Sequence, residues 1–315
     1  MASQTFQPAY LTLHQEGELG DRVAQAYERL RSCDLCPRRC GVDRRAGHRG
    51  AACRTGERAL VASAHPHFGE EAPLVGHGGS GTIFFGSCNL RCVYCQNHDI
   101  SQERAGQEVE PEQLAAIMLE LQALGCHNIN LVSPTHVVAP ILAAVYIAAQ
   151  AGLRLPLVYN SGGYDAVETL ALLDGVVDIY MPDMKYADAE VGRRLSGVEG
   201  YPAANQAAVC EMHRQVGDLL LDEHGVARRG LLVRHLVLPG GLAGTKAIVA
   251  FLAGEISPLT YLNVMEQYRP CYRAHEYPEL SRPLARGEYE AALRLAQQAG
   301  LERLDDRRAR LWRLW

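Results

Sequence analysis

The 315-residue chain lacks any run of about 18 or more apolar residues, so it offers no transmembrane helix. Its first twenty residues are polar and lack the apolar stretch of a secretory signal. These two absences lead to the expectation of a cytoplasmic protein with no membrane partner. A basic excess is missing as well. Lys and Arg number 31 against 36 Asp and Glu, for a formal net charge of −5, which argues against a nucleic-acid partner. No internal repeat, low-complexity tract, or flavin or nicotinamide motif is evident. With 48% hydrophobic and 21% charged residues, the composition excludes wholesale disorder.

Cysteine, in contrast, is abundant, with ten in the chain. In a reducing compartment such residues are more often metal ligands or catalytic thiols than disulfides. Cys33, Cys36, Cys40 and Cys53 form one group, and Cys88, Cys92 and Cys95 a second. Cys126 and Cys210 read as core residues, and Cys271 stands apart.

The length allows about two domains, or one large α/β barrel with an appendage. Residues 1–65 read as a cysteine-rich N-terminal module. Residues 24–30 end a helix there, and 33–53 are too rich in Arg and Gly to pack a core unaided, so a bound metal would have to supply the stability. Residues 66–277 carry a β/α alternation. Strands are expected at 82–86, 128–132, 157–160, 177–181, 231–238 and 261–265. Helices are expected at 111–124, 138–151, 166–173, 204–219 and 245–256. This order implies parallel strands with right-handed crossovers, closing into an open six-stranded (βα)6 partial TIM barrel. Chemistry then sits at the C-terminal strand ends. Residues 278–315 form a C-terminal helical extension, with an amphipathic helix at 288–300. Beyond it lies an arginine-rich end whose Leu311, Trp312 and Leu314 are expected to pack on the barrel.

The strongest signal is Cys88-Asn89-Leu90-Arg91-Cys92-Val93-Tyr94-Cys95, a CxxxCxΦC loop (Φ aromatic) that follows the first expected strand. Three thiolates so spaced can hold three irons of a 4Fe–4S cubane and leave the fourth iron open to a ligand. A closed zinc site with His98 as fourth ligand is the alternative.

This loop, ahead of six βα units, resembles that of the radical S-adenosylmethionine (SAM) superfamily. The resemblance implies that the open iron chelates the amino and carboxylate groups of SAM. One electron then cleaves the sulfonium, and the resulting 5′-deoxyadenosyl radical abstracts a hydrogen atom from substrate. It also implies an external electron donor of the flavodoxin or ferredoxin type. Gly81-Thr82-Ile83-Phe84-Phe85, Tyr94-Cys95-Gln96-Asn97, Met181-Pro182-Asp183-Met184-Lys185 and Val233-Arg234-His235-Leu236-Val237-Leu238-Pro239-Gly240 resemble segments of the pyruvate formate-lyase activating enzyme group. The cysteine-rich N-terminus, Val132-Ser133-Pro134-Thr135-His136, Gln267-Tyr268-Arg269-Pro270 and Glu276-Tyr277-Pro278-Glu279-Leu280 are similar to its PflX-like branch. The substrate stays open between a small molecule, as for an epimerase, and a glycine of a partner protein, as for an activase. A non-catalytic zinc or iron–sulfur binding module is the rival of a different class.

Several residues follow as site candidates. Resemblance places Tyr94 near the adenine, against the alternative of a core aromatic under the loop, and Asn97 follows the last cluster cysteine. Alternation puts Asp183 and Lys185 on one face at the end of the fourth expected strand. Resemblance implies that they hold the methionyl part of SAM; the alternative is a buried structural pair. Arg234, in an apolar run, needs an anionic partner. Resemblance implies the SAM carboxylate or ribose, while His235 should face the other way as a structural residue. Asn160 and Ser161, before Gly162 and Gly163, are SAM contacts by resemblance or simply a turn. Activating enzymes usually carry a Gly-Gly-Glu-like segment after the second strand. Here Ser133-Pro134-Thr135-His136 takes its place, leaving Ser133 or Thr135 to hold the amino group, and Glu70-Glu71 is expected to lie out of reach. Past the last strand, Cys271 is a candidate catalytic hydrogen-atom donor or else a small buried residue. Tyr268, Arg269 and His136 are candidates for binding an anion. The N-terminal Cys33, Cys36, Cys40 and Cys53 fit either zinc or a second iron–sulfur cluster.

Overall fold

The structure, a computed structural model, describes residues 6–305. Ten strands occur among the described residues: β1 (Ala59–His67), β2 (Ser80–Phe85), β3 (Gln107–Val109), β4 (Ile129–Val132), β5 (Leu157–Ser161), β6 (Ile179–Pro182), β7 (Leu220–Leu221), β8 (Ala227–Leu236), β9 (Tyr261–Met265) and β10 (Arg303–Leu304). The helices among them are α1 (Tyr10–Glu16), α2 (Glu18–Glu28), α3 (Ala72–Val75), α4 (His98–Glu103), α5 (Pro111–Ala123), α6 (Val138–Gln150), α7 (Val167–Leu170), α8 (Ala189–Ser196), α9 (Tyr201–Val216), α10 (Thr245–Phe251) and α11 (Arg286–Gln298).

The fold is α/β with a mostly parallel sheet. β2, β4, β5, β6, β8 and β9 lie in sequential order, and each pair of neighbours is parallel. These are the six strands expected from sequence. The sheet is larger than six, however. β1 pairs antiparallel with β2, β3 pairs with β1, β10 lies beside β9, and β7 pairs with β8. β1 escaped notice because its end carries Pro66 between His65 and His67, on a face that is half-buried rather than cleanly alternating.

Local signals explain the crossovers. Glu110 and Gln113 form a capping box on α5, with Pro111 at its first position. α6 is apolar on nearly every side because it is covered by α5, by α2 and by the sheet. α8, which the sequence did not reveal, starts on Asp188, whose carboxylate accepts from the Val191 amide, and stops at Gly197.

The N-terminal segment shares the main core: Tyr10, Leu19, Ala26, Leu30 and Cys33 pack in one cluster with β-strand residues such as Ile83 and Leu131. The boundary expected near residue 65 falls inside β1. Residue Cys126 is buried as expected, whereas Cys210, expected in the core, is exposed on α9. α11 packs through Tyr289, Ala292 and Ala296. The expected packing of Leu311, Trp312 and Leu314 lies outside the described residues. Among those described, no helix is long and apolar enough to cross a membrane.

Candidate active site

The cluster loop leaves the C-terminal end of β2 through Ser87, whose φ of 70° turns the chain sharply. Leu90, Val93 and Tyr94 bury themselves beneath the loop. Its backbone is tied to the end of α8: the Arg91 amide donates to Ser196 O at 2.8 Å and the Val93 amide to Leu195 O at 2.9 Å. The three thiols are therefore fixed by a helix that lies a hundred residues away in sequence.

Cys88, Cys92 and Cys95 line one cavity of about 270 Å³. Around it stand Tyr94 and Asn97 from the loop, Ser133 after β4, Asn160 and Ser161 on β5, Asp183 and Lys185 after β6, and Arg234 on β8. These residues, all expected from the sequence as cofactor contacts, thus line one cavity at the C-terminal ends of the parallel strands, whereas Thr135, the alternative to Ser133, does not.

Asp183 organises the charge. Its Oδ2 accepts from Lys185 Nζ at 2.6 Å and its Oδ1 from Arg234 Nε at 2.9 Å. Burial pushes its pKa up, but the two neighbouring cations outweigh burial and hold the carboxyl below its ordinary range. Lys185 is the mirror case. Burial disfavours its charge, and Asp183 and then Cys92 more than restore it, so its pKa is raised. The ammonium lines the same cavity as the Cys88 and Cys95 thiols and lowers their pKa against burial, which raises it.

Glu70 and Glu71 stay out of the cavity lining, as expected, yet approach its charged wall. They precede β2 in sequence, yet Glu70 Oε2 lies 4.0 Å from Arg234 Nη1, and Glu71 Oε1 accepts from Asn263 at 2.6 Å. The turn after β1 carries them beneath Arg234, which sequence order alone does not reveal.

A hydrogen-bond chain reaches the loop from below. Tyr94 OH lies 2.5 Å from Tyr186 OH, Tyr186 OH lies 2.7 Å from Ser196 Oγ, and Ser196 Oγ lies 3.0 Å from Cys92 Sγ. With the hydroxyls donating in that order, the last proton points at Cys92 Sγ. Ser101 Oγ stands likewise 3.2 Å from Cys95 Sγ. Tyr94 is therefore both a cavity residue and a buried aromatic, edge-on to Tyr186 and Tyr268. Tyr186, Ser196 and Ser101 were not singled out from sequence, since only the fold brings the first two to Cys92.

Asp165 was also missed. It is 2% exposed and accepts from Thr135 Oγ1 at 2.6 Å, Tyr159 OH at 3.0 Å and Ser161 Oγ at 2.6 Å. Burial raises its pKa against these three donors. A lone acid after Gly162-Gly163-Tyr164 was the available signal. Gly163 is needed here for a close approach to protein rather than to a ligand. At φ +73°, a Cβ there would overlap the Asp183 carbonyl oxygen.

Other candidates lie elsewhere. Thr135 spends its hydroxyl on Asp165. His136, expected at the mouth, is buried, and its Nε2–H donates to Gly86 O at 3.0 Å. Burial, and then the Arg44 charge, push its pKa down to about 3. Cys271 and Tyr268 do not line the cavity. Tyr268 donates to Leu280 O at 2.6 Å, and Cys271 opens the turn whose Arg273 amide bonds Val93 O at 2.9 Å. His235 faces away from the cavity, between Met184 O at 2.7 Å and Thr245 Oγ1 at 2.9 Å, as a satisfied structural residue.

The donor sets can be tested against the metals they would hold. Among the described residues, no three Cys, His, Asp or Glu side chains converge as ligands of a single ion. A cubane spreads its thiolates over separate corners, which the loop of Cys88, Cys92 and Cys95 can meet.

Comparison with known proteins agrees with this donor chemistry. A family model of the radical SAM superfamily matches residues 82–217, from β2 to the end of α9. An uncharacterised protein of Methanocaldococcus jannaschii, MJ0674, is 34% identical over 296 residues, which cover 90% of this chain and 80% of that protein. Two solved structures are similar to part of the chain at low identity. One is TYW1 with a lysine-pyruvate adduct bound (TM-score 0.44, 14% identity, 70% of this chain and 74% of that one). The other is a radical SAM methyltransferase from Sphaerobacter thermophilus (TM-score 0.47, 13% identity, 71% and 64%).

Proposed function

From the match of residues 82–217 to the radical SAM superfamily we propose that the cavity binds a 4Fe–4S cluster through Cys88, Cys92 and Cys95 and SAM through the polar strand ends. The observation that carries this reading is the shared cavity. Three thiols, the Asp183–Lys185–Arg234 group and Asn160–Ser161 come from four separate parts of the fold and converge on one space. When reduced, such a cluster supplies one electron to the SAM sulfonium, releasing methionine and the 5′-deoxyadenosyl radical that takes hydrogen from a substrate.

The chain's own residues bind and orient. Lys185 and Arg234 offer cations to the SAM carboxylate, and Asp183, Asn160 and Ser133 offer acceptors to its amino and ribose groups. Tyr94 lays an aromatic face along the adenine side of the cavity. Asp165 holds Ser161 and Tyr159 in place from behind. We place the chain nearest the pyruvate formate-lyase activating enzyme-like group and its PflX-like branch, in a cytoplasmic setting, with a flavodoxin- or ferredoxin-type donor.

For the substrate we favour a small molecule over a glycine of a partner protein. The segment after β9 lies against the cluster loop, with Gln96 Nε2 donating to Gln267 O at 3.0 Å and His98 stacked on Tyr272 at 4.9 Å. That arrangement narrows the approach to the thiols on this side. The test is anaerobic reconstitution, reduction and incubation with SAM. Wild type should form 5′-deoxyadenosine and Cys92→Ala none. SAM binding to a spectroscopically intact cluster without product, in the presence of cell-extract metabolites, would favour a non-catalytic binding module.

A further inference from the structure

Four more thiols stand beside the SAM cavity, in a segment that the matched residues 82–217 do not include. Cys33, Cys36 and Cys53 are buried and Cys40 is half-buried. Backbone bonds fold the segment on itself: the Gly41 amide donates to Cys33 O at 3.0 Å and the Arg39 amide to Cys36 O at 3.0 Å. Arg44, 1% exposed, sets Nη1 3.7 Å from Cys33 Sγ, and the Ala52 amide donates to Cys40 Sγ at 3.4 Å. Donors aimed at sulfur are what metal-bound thiolates attract. Four thiolates suit either zinc or an iron–sulfur cluster, and the tie to the SAM cavity favours the cluster.

Arg91 joins the two cysteine groups. Its Nη1 donates to Cys88 O at 3.1 Å, and its Nη2 donates to the carbonyl of Ala52, the residue before Cys53. Charge on both Cys88 and Cys53 acts on it. Arg38 adds a second tie, from beside Cys36 to Asn89 O at 2.5 Å. Arg91 therefore bridges the two cysteine groups through the carbonyls of Cys88 and Ala52.

We propose that Cys33, Cys36, Cys40 and Cys53 hold a second iron–sulfur cluster that relays electrons across Arg91 to the cluster at Cys88, Cys92 and Cys95. The relay, though not the site itself, rests on the SAM-cavity reading above. Four thiolates close the cluster's coordination, so it has no open iron for SAM, and electron transfer is the chemistry left to it. The step is a single-electron transfer. The flavodoxin- or ferredoxin-class donor loses one electron. The N-terminal cluster gains it and gives it up, and the SAM-site cluster ends reduced by one, with no bond made or broken. The surface around the site suits an acidic donor. Residues 33–54 carry six arginines (38, 39, 44, 45, 49 and 54) against Asp34 and Asp43, a sequence charge of +4 in a chain of −5; Arg44 is buried and Arg39 pairs with Glu168, while Arg45 and Arg49 are exposed.

Two full-length variants test this. Cys88→Ala/Cys92→Ala/Cys95→Ala should retain about four irons and four sulfides per chain after reconstitution, with a reduced electron paramagnetic resonance signal that SAM leaves unchanged. One zinc per chain, or neither iron nor zinc, would overturn the site whether or not wild type cleaves SAM. Cys36→Ser/Cys40→Ser should keep the SAM-site signal, and dithionite should reduce it as in wild type. Freeze-quenched reduction of that signal by reduced flavodoxin should slow at least tenfold. Unchanged reduction by flavodoxin would overturn the relay. If the second variant loses both signals, the relay is read instead from Arg91→Met, in which flavodoxin-driven reduction should slow while both signals persist.

Discussion

Asp183 and Arg234 meet across adjacent strand ends, Oδ1 to Nε at 2.9 Å, and the same carboxylate holds Lys185 with its other oxygen. One anion thus fixes two cations at the rim of the thiol cavity. Asp183→Asn would leave both cations short of charge in a buried place, at a cost of about 3–5 kcal/mol. Chemical denaturation should show that loss near neutral pH. The folded-state pKa of Asp183 lies below its ordinary 3.8, so its contribution is complete above that value and fades as pH falls through the lower folded value. The deficit of Asp183→Asn should accordingly shrink in strong acid.

His136 gives a second pH signature. It is held neutral by burial and by Arg44, with a pKa near 3 against an ordinary 6.5. The unfolded chain therefore binds a proton that the folded chain refuses between these values. Its contribution is complete above about 6.5 and is lost as pH falls toward 3, on the order of 1 kcal/mol per pH unit. Denaturation at a series of pH values should show this slope, and His136→Asn should flatten it.

The hydroxyl of Ser196, 3.0 Å from Cys92 Sγ, should tune the SAM-site cluster. Hydrogen bonds to cluster sulfurs stabilise the more negative, reduced state. Ser196→Ala should lower the midpoint potential of that cluster in a spectroscopic redox titration while the iron content stays unchanged. Tyr186→Phe, which removes the donor to Ser196, should shift it less.

Two backbone positions should respond in opposite ways. Ser133 takes a φ of 59°, a region that costs a side-chain-bearing residue roughly 1–2 kcal/mol. Ser133→Gly should raise the melting temperature or leave it unchanged. Gly163→Ala should lower it and weaken SAM binding, because the added methyl drives against the Asp183 carbonyl.

Much of this was legible in the chain. The six parallel strands announced themselves as short apolar runs between amphipathic helices, and the spacing of Cys88, Cys92 and Cys95 marked where the first of them ends. Asp183, Lys185 and Arg234 were legible because charges inside apolar strands demand partners. Other features depended on distant pairings. β1 is ordered by β2 rather than by its own pattern, and Glu70 reaches Arg234 only through the turn that follows β1. Ser196 is an unremarkable helix-terminal serine until α8 docks on the loop. Cys271 and His136 carried chemically suggestive side chains, but the turn at 271–273 and the burial of His136 keep both from the cavity.

The central claim is an open iron beside Lys185 that SAM occupies. It is tested most directly by the electron paramagnetic resonance spectrum of reduced Cys36→Ser/Cys40→Ser protein, recorded with and without SAM, so that only the loop cluster contributes. The account predicts a marked change in the signal on adding SAM, saturating with SAM concentration and weakened in a Lys185→Met background. A cluster signal that SAM leaves unaltered at saturating concentration would contradict it.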